Sequence, residues 1–312
     1  MSRRSLLLLL VLSATWGASY LFISLSLAGG MSAPVVVFGR LAIGAAVLCA
    51  LAYGRSRRPF AVLRGDWPRV AVFALFEMVL PYLLIAYGEG RIPSGTASLL
   101  VSTQMMWVVL LTPLMVRGAR IRAVQAAGVG VGLVGVAALV QPFGAGTPDP
   151  VGAVLVTLAA ASYATGSLLL GLLLPGREPL PVTAAAQAVA AVLVAPVAAV
   201  SLPRALPDAG SVGALAVLGV VCTAGGFLLF NTLITRSGTG TASLVAYLAP
   251  VFSLAYGALV LDEPFTVPAA LGLLLIVAGS ALTVPRRRRR VVEPAPAEAT
   301  VPAEIVTYSP KA

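Results

Sequence analysis

Two side chains stand out because they place charge inside stretches that otherwise carry almost none. Glu77 lies mid-way along FALFEMVLPYLL, four residues before Pro81, and Arg40 sits within PVVVFGRLAIGAAVL. An ionised carboxylate in a hydrocarbon environment costs at least about 3 kcal/mol, so such a group must face water, hold a cation or carry a proton. Glu77 could therefore bind an amine or ferry a proton. It could equally serve a structural hydrogen bond or an ion pair with a neighbouring helix. Arg40, the one cation predicted deep within a span, could anchor a carboxylate or pair with Glu77 through its forked guanidinium. The structural alternative is packing against helix-end carbonyls.

Around these two lies a scatter of amphipathic side chains: Trp16, Tyr20, Tyr82, Tyr87, Gln104, Trp107, Tyr163, Asn231 and Tyr247. Aromatic rings with one polar handle suit a pocket that takes varied small molecules. Single residues of this kind also serve in interfacial belts and helix packing. Gln187, mid-span, is expected to bond a neighbouring helix. Pro81, Gly225, Gly226 and Pro250 are positions where a helix can kink and free backbone groups, which makes them candidate hinges. There is no histidine, and the two cysteines, Cys49 and Cys222, lie in separate apolar runs. Neither metal-ligand spacing nor a thiol–imidazole pair can be assembled, and no cofactor is expected.

The elements that must position these groups follow from composition. Of 312 residues, 59% are hydrophobic and 10% charged, whereas a soluble domain carries about 25% charged residues. Ten apolar segments can be marked near residues 5–28, 33–53, 67–90, 94–116, 121–141, 151–174, 181–201, 211–235, 240–260 and 266–285. Each is close to the ~20 residues a helix needs to cross a bilayer, and about twice the length of a membrane-barrel strand. The fold class is therefore an all-α integral membrane protein with ten transmembrane helices. The start, MSRRSLLLLL, could pass for a signal peptide with twin arginines. An uncleaved first span is preferred, since the apolar run continues to about Ala28 without a clear cleavage site.

Of 21 Lys and Arg residues, all but Arg40, Arg91 and Arg204 fall on one side if the N-terminus is placed inside. The positive-inside rule then gives N-in and C-in. The same distribution accounts for the net charge of +10 without nucleic acid, because the basic residues do not interleave with aromatics as single-strand binding requires. The expected surroundings are the lipid bilayer and a small-molecule substrate. After the arginines 286–290, the Pro- and Glu-rich end through residue 312 reads as a disordered cytoplasmic tail anchored at lipid headgroups.

One phrase is written twice. RIPSGTASLL (Arg91–Leu100) matches RSGTGTASLV (Arg236–Val245) at six of ten positions without a gap. Further along, Gly128 and Gly135 coincide with Gly272 and Gly279, and Trp16 falls opposite Tyr163. The chain thus divides into a first repeat at 1–141, an outer linker at 142–150, a second repeat at 151–285 and the tail at 286–312. Five spans per repeat is odd, so the second half must enter the membrane inverted, an arrangement used by alternating-access transporters. Gly128-x-x-x-Gly132 permits close helix approach, either within the chain or in a homodimer through helices 5 and 10.

WGASYLFI (Trp16–Ile23), PVVVFGRLAIGAAVL (Pro34–Leu48), ASLVAYLAPVFSLAYGALVLDEP (Ala242–Pro264) and ALGLLLIVAGSALTV (Ala270–Val284), in that order, resemble an EamA-type member of the drug/metabolite transporter superfamily. The resemblance implies ten helices in the inner membrane, secondary transport of small metabolites, often outward, and a central cavity lined by helices 1, 3, 4, 6, 8 and 9. Two marks of that pattern occur only in the second repeat: Pro250 has Met105 opposite it, and Glu263 has Gly118. The rival classes are a membrane enzyme, a channel and a scaffold. The enzyme lacks both histidine and carboxylates paired at helical spacing, Glu77 and Glu89 being 12 residues apart. No Gly-x4-Gly-Lys-Ser/Thr loop supports an ATP-driven pump.

Overall fold

The computed structural model describes residues 2–140 and 148–283, with the side chain of Thr239 excepted. Linker residues 142–147 and the basic cluster and tail at 286–312 lie outside this range. The described residues form helices and turns throughout. Among the described residues, nine helices are long and apolar enough to cross a membrane: α1 Arg3–Ala28, α2 Ala33–Arg55, α3 Trp67–Glu89, α4 Ser94–Met115, α5 Ala123–Val140, α6 Pro150–Leu173, α7 Pro179–Val200, α8 Ala209–Gly238 and α9 Gly240–Val260. A tenth apolar helix, α10 Val267–Thr283, has 17 described residues.

Local chemistry sets several starts. Asp149 caps α6 through the backbone N–H groups of Val151 (2.7 Å) and Gly152 (3.3 Å), and Asp208 caps α8 through Ser211 N (2.9 Å). Each satisfies donors that a helix start leaves unpaired. Both carboxyls are held below their ordinary range. The main cause is the Arg91 hydrogen bond for Asp149 and the Ser211 backbone N–H for Asp208.

The helices meet through small residues. α5 and α10 pack along glycines: Gly128 faces Gly279, Gly135 faces Ile276, and Gly272 faces Leu139. α2 and α7 meet where Ser32 reaches Ser201, Gly44 lies on Gln187, and Cys49 approaches Ala184. In both pairs the residue number rises along one helix as it falls along the other, so each pair runs antiparallel. The Gly128/Gly132 face is thus occupied by α10 of the same chain. A Cβ on Gly279 would lie 2.5 Å from both the Gly128 carbonyl oxygen and the Gly132 nitrogen. Gly279→Ala is therefore expected to cost about 1–3 kcal/mol, read as a lower melting temperature in detergent; an unchanged melting temperature would show that the helices can slide apart freely.

Many of the larger helix contacts occur in matched pairs when residues 1–141 and 151–285 are compared, although the contacts of α4 with α1 and with α10 have no such match. α1 packs on α8 and α9, and α6 packs on α3 and α4; α2 packs on α8 and α3 on α7; α2–α7, α4–α9 and α5–α10 pair position for position. The largest apolar core joins α2, α3, α6 and α7 around Leu41, Met78, Ala159 and Ala186.

The two halves differ most where their phrases lie. GTASLL forms part of a regular helix over Ser94–Val101, followed by a break at Ser102–Thr103. In GTASLV the break falls inside the phrase, at Ser243–Leu244, and Gly238 before it has φ 77° and ψ 164°. Sequence spacing located the spans to within a few residues but predicted neither break.

Candidate functional site

The site is organised by one face of α6, bearing Tyr163, Gly166 and Ser167 at helical spacing. Against it lies α3, whose regular hydrogen bonding gives way to a π-helical turn over Leu75–Val79. Such turns insert one residue into a helix and are frequent at functional sites. Here the cause is visible in the chain, because Pro81 has no N–H to offer the carbonyl of Glu77. Ser162 of α6 donates to the carbonyl of Phe76 within this turn at 2.7 Å. The turn sets Glu77 directly on Gly166, where no side chain intervenes. Glu77 is half-buried, and its Oε2 is buried without a hydrogen-bond partner.

Arg40 of α2 is 6% exposed. Its guanidinium carbon stands 3.9 Å from the centroid of the Tyr82 ring, and its Nε donates to Thr223 Oγ1 of α8 at 3.3 Å. Among the described residues Arg40 forms no ion pair. Pairing with Glu77 is therefore not realised, and the contacts to helix-end carbonyls are replaced by a cation–π stack and a hydroxyl. Tyr82 in turn meets Tyr163 at 6.3 Å, edge to face. Tyr20 packs against the same core. Gln104 of α4 donates to Ser167 at 3.1 Å.

α8 repeats the device. Its π-helical segment, Leu218–Gly225, ends immediately before Gly226. With the 145-residue offset of the phrases, Pro81 falls opposite Gly226 and Tyr82 opposite Phe227. Phe227 meets Trp16 of α1 at 6.1 Å, also edge to face, and Phe230 lies 5.1 Å from Trp16. The pair Tyr82–Tyr163, which joins α3 of the first half to α6 of the second, thus has the counterpart Phe227–Trp16, which joins α8 of the second half to α1 of the first. Pro81, Gly225 and Gly226 all border irregular turns. Pro250 instead lies within a helical stretch, six residues after the break at Leu244.

Arg40, Glu77, Tyr82, Tyr163, Tyr20 and Gln104 come together, and Trp16 joins the second aromatic group. Asn231, next to Phe230, and Trp107 are half-buried on their helices, and Tyr247 has a buried, unpartnered hydroxyl. Tyr87 departs from the grouping: it is 47% exposed on the outside of α3. Gln187, expected to bond a neighbouring helix, packs on Gly44 with neither amide atom hydrogen-bonded. Glycine at 44 leaves room for the side chain but offers it no polar partner.

One site residue escapes the sequence reading. Glu89, 8% exposed, accepts from Ser24 Oγ at 3.0 Å and leaves Oε1 unpartnered. Its sequence signal is that of a second carboxylate in the same apolar run as Glu77. The relation of Arg40 to Gln187 was also legible, since each stands six residues after a Pro-Val, at Pro34 and Pro181. A separate cavity of about 340 Å³ lies at one end of the molecule, lined by Gly95, Thr96, Leu254, Glu263 and Phe265 among others.

The EamA-like transporter family matches this sequence over residues 3–141 and 150–284. The chain belongs to the EamA-like transporter family. It is 26% identical over 223 residues to an uncharacterized transporter of Archaeoglobus fulgidus, covering 71% of this chain and 79% of that protein. It is 28% identical over 280 residues to the uncharacterized transporter YvbV of Bacillus subtilis, covering 88% and 89%. It is 27% identical over 295 residues to a probable amino-acid metabolite efflux pump of Escherichia coli, covering 91% and 96%. A solved crystal structure shares the fold with a TM-score of 0.64 at 21% identity, covering 90% of this chain and 96% of that one. The EamA protein is thus a multi-pass membrane transporter and not an enzyme.

A Cβ on Gly166 would lie 3.0 Å from the Glu77 Cα as well as against the carboxylate. Gly166→Ala must therefore push α3 off α6, at about 1–3 kcal/mol. Expected is a folded EamA protein with a lowered melting temperature and transport reduced several-fold; unaltered transport would show that the Glu77–Gly166 contact is dispensable.

Proposed function

We propose that this EamA protein is a secondary active exporter of small metabolites, working by alternating access between two inverted repeats at residues 1–141 and 151–285. It would sit in the plasma (inner) membrane with both termini cytoplasmic. The observation that carries the reading is the antiparallel run of equivalent helices, α2 with α7 and α5 with α10. A two-fold axis in the membrane plane requires that relation. The matched helix contacts, such as α1 on α8 and α6 on α3, and the two conformations of one phrase support it further.

In this reading the substrate meets Arg40, Tyr82, Tyr163 and Glu77 between the halves. The name of the E. coli relative suggests amino-acid metabolites, and the site suits them. A guanidinium whose terminal nitrogens have no partner among the described residues can take a carboxylate. The unpaired Glu77 oxygen can take an ammonium or a proton. Because either ligand removes the cost of the unpaired carboxylate, the two compete, and competition of that kind is what proton exchange needs. The surrounding rings give area without charge. A homodimer through α5 and α10 would have to use their outward faces, near Leu133 and Leu274, because the glycine faces are already filled.

Counterflow in proteoliposomes tests the function, using a panel of labelled amino acids and their derivatives. A transporter gives saturable uptake stimulated by unlabelled solute inside. A channel gives non-saturating flux and a scaffold gives none, and either result would refute the proposal. The export direction predicts that cells producing the protein accumulate less of the transported compound than cells without it.

A further inference from the structure

The repeated phrase is packed at one end of the molecule and open at the other. Every residue from Ser94 to Leu100 is buried. In the counterpart, Gly240 and Leu244 are exposed, Leu244 by 39%. A side chain from the opposite half holds the packed end. α4 begins after Pro93, which brings no acceptor to the cap position. Glu263, from the α9–α10 loop, supplies one. Its carboxylate accepts from Ser94 N at 2.7 Å, Ser94 Oγ at 3.0 Å and Gly95 N at 3.1 Å. Gly257 of α9 lies directly beside that carboxylate, and its lack of a side chain leaves room for it. The interaction joins negative charge to the positive end of a helix, and all its hydrogen bonds are charge-assisted.

The other end lacks the means to copy it. The equivalent loop, between α4 and α5, reads RGARIR over residues 117–122 and contains no carboxylate. Gly118 occupies the matching place, at φ 80°, and three arginines surround it. Arginines cannot stabilise the positive end of a helix as a carboxylate does. Among the described residues, Asp66 at the inner end pairs with Arg177 at 2.5 Å, joining the α2–α3 and α6–α7 loops, and with Arg69 at 2.7 Å.

We propose that Glu263 is a one-sided latch. By tying the α9–α10 loop to the start of α4, it holds that end of the transport path shut and biases the resting protein toward the state open at the α9 start. It is a positioning residue that acts through α4 and touches no substrate. With the N-terminus inside, the latched end is the outer one, so the resting state takes substrate from the cytoplasm. The inference rests on the alternating-access reading, and its test separates the two.

Ser98 and Ser243 occupy the same place in the two phrases; Ser98 is buried and Ser243 half-buried. Each is replaced by cysteine in a background with Cys49 and Cys222 changed to serine, and thiol modification rates are measured in nanodiscs, where both faces are accessible. The parent should react at position 243 and resist at 98. Glu263→Ala should raise the rate at 98 and lower it at 243, shifting their ratio by about tenfold, the factor expected for a charged cap. Glu263→Gln, which keeps the size and an acceptor, should shift it less and covers the case in which alanine prevents folding. Adding Pro93→Asp to Glu263→Ala gives α4 an acceptor of its own without the tether. If Glu263 served only to cap the helix, that change would restore the parent ratio; the latch predicts that it does not. An unchanged ratio in folded Glu263→Ala and Glu263→Gln protein overturns the latch and leaves alternating access intact. A rise at both positions overturns alternating access itself.

Discussion

Glu77→Gln is expected to abolish uphill transport while exchange continues, with weaker binding of the substrate ammonium. If one proton is exchanged per substrate, each unit of imposed pH difference supports about a tenfold accumulation, since a factor of ten in proton activity is worth 1.36 kcal/mol. Glutamine matches glutamate in size and keeps the contact with Gly166, so the π-helical turn of α3 should persist. It cannot take up or release the proton. In vesicles with a pH difference of one unit, the parent should concentrate substrate about tenfold, and the variant should stop at a ratio of one. Counterflow, which needs no net proton movement, should continue in both. Full accumulation by folded Glu77→Gln protein would move the proton site elsewhere, and Glu89 would be next to examine, as its Oε1 is likewise buried and unpartnered.

Arg40→Gln is expected to weaken substrate binding by about 30-fold or more, corresponding to ~2 kcal/mol, the lower end of what truncating one partner of a buried charge pair costs. The substitution places on α2 the residue that α7 carries at the equivalent position, 187. The effect should fall on KM more than on kcat, because Arg40 would meet the substrate carboxylate in the bound state as well as during transport. Arg40→Lys should recover only part of the loss. Lysine keeps the charge but not the flat face that lies on Tyr82 or the fork that grips a carboxylate. If KM is unchanged in folded Arg40→Gln protein, Arg40 is a brace between α2, α3 and α8, and its contribution should then appear as lost thermal stability.

Much of this architecture is legible in the chain because the bilayer imposes a coarse length rule. Segments marked near 33–53 and 94–116 became helices at Ala33–Arg55 and Ser94–Met115. Gly128, read from its spacing as a place of close helix approach, and Gly135, Gly272 and Gly279, read as matched positions, are where α5 and α10 touch. Residues that depend on three-dimensional neighbours were less visible. Glu77 announced itself by cost, but its Gly166 seat lies 89 residues away and looks like any other glycine. Tyr87 shares a helix with Tyr82 and differs from it only in which face it occupies. The π-helical turns arise from local hydrogen-bond register, which hydrophobic periodicity does not encode. Glu263 was noticed as a mark with no counterpart at Gly118, and its role emerged only when its carboxylate was found on Ser94 and Gly95 of the other half.

The inverted arrangement is tested most directly by the sidedness of the two phrases. Gly90 and Thr235 precede them at equivalent places, and both are exposed. Each is replaced by cysteine in the background without Cys49 and Cys222, and intact cells are treated with a membrane-impermeant maleimide. Two inverted halves with a cytoplasmic N-terminus predict that position 90 is labelled in intact cells and position 235 only after the membrane is permeabilised. Labelling of both from the same side would contradict the inverted repeat and the transport cycle proposed from it.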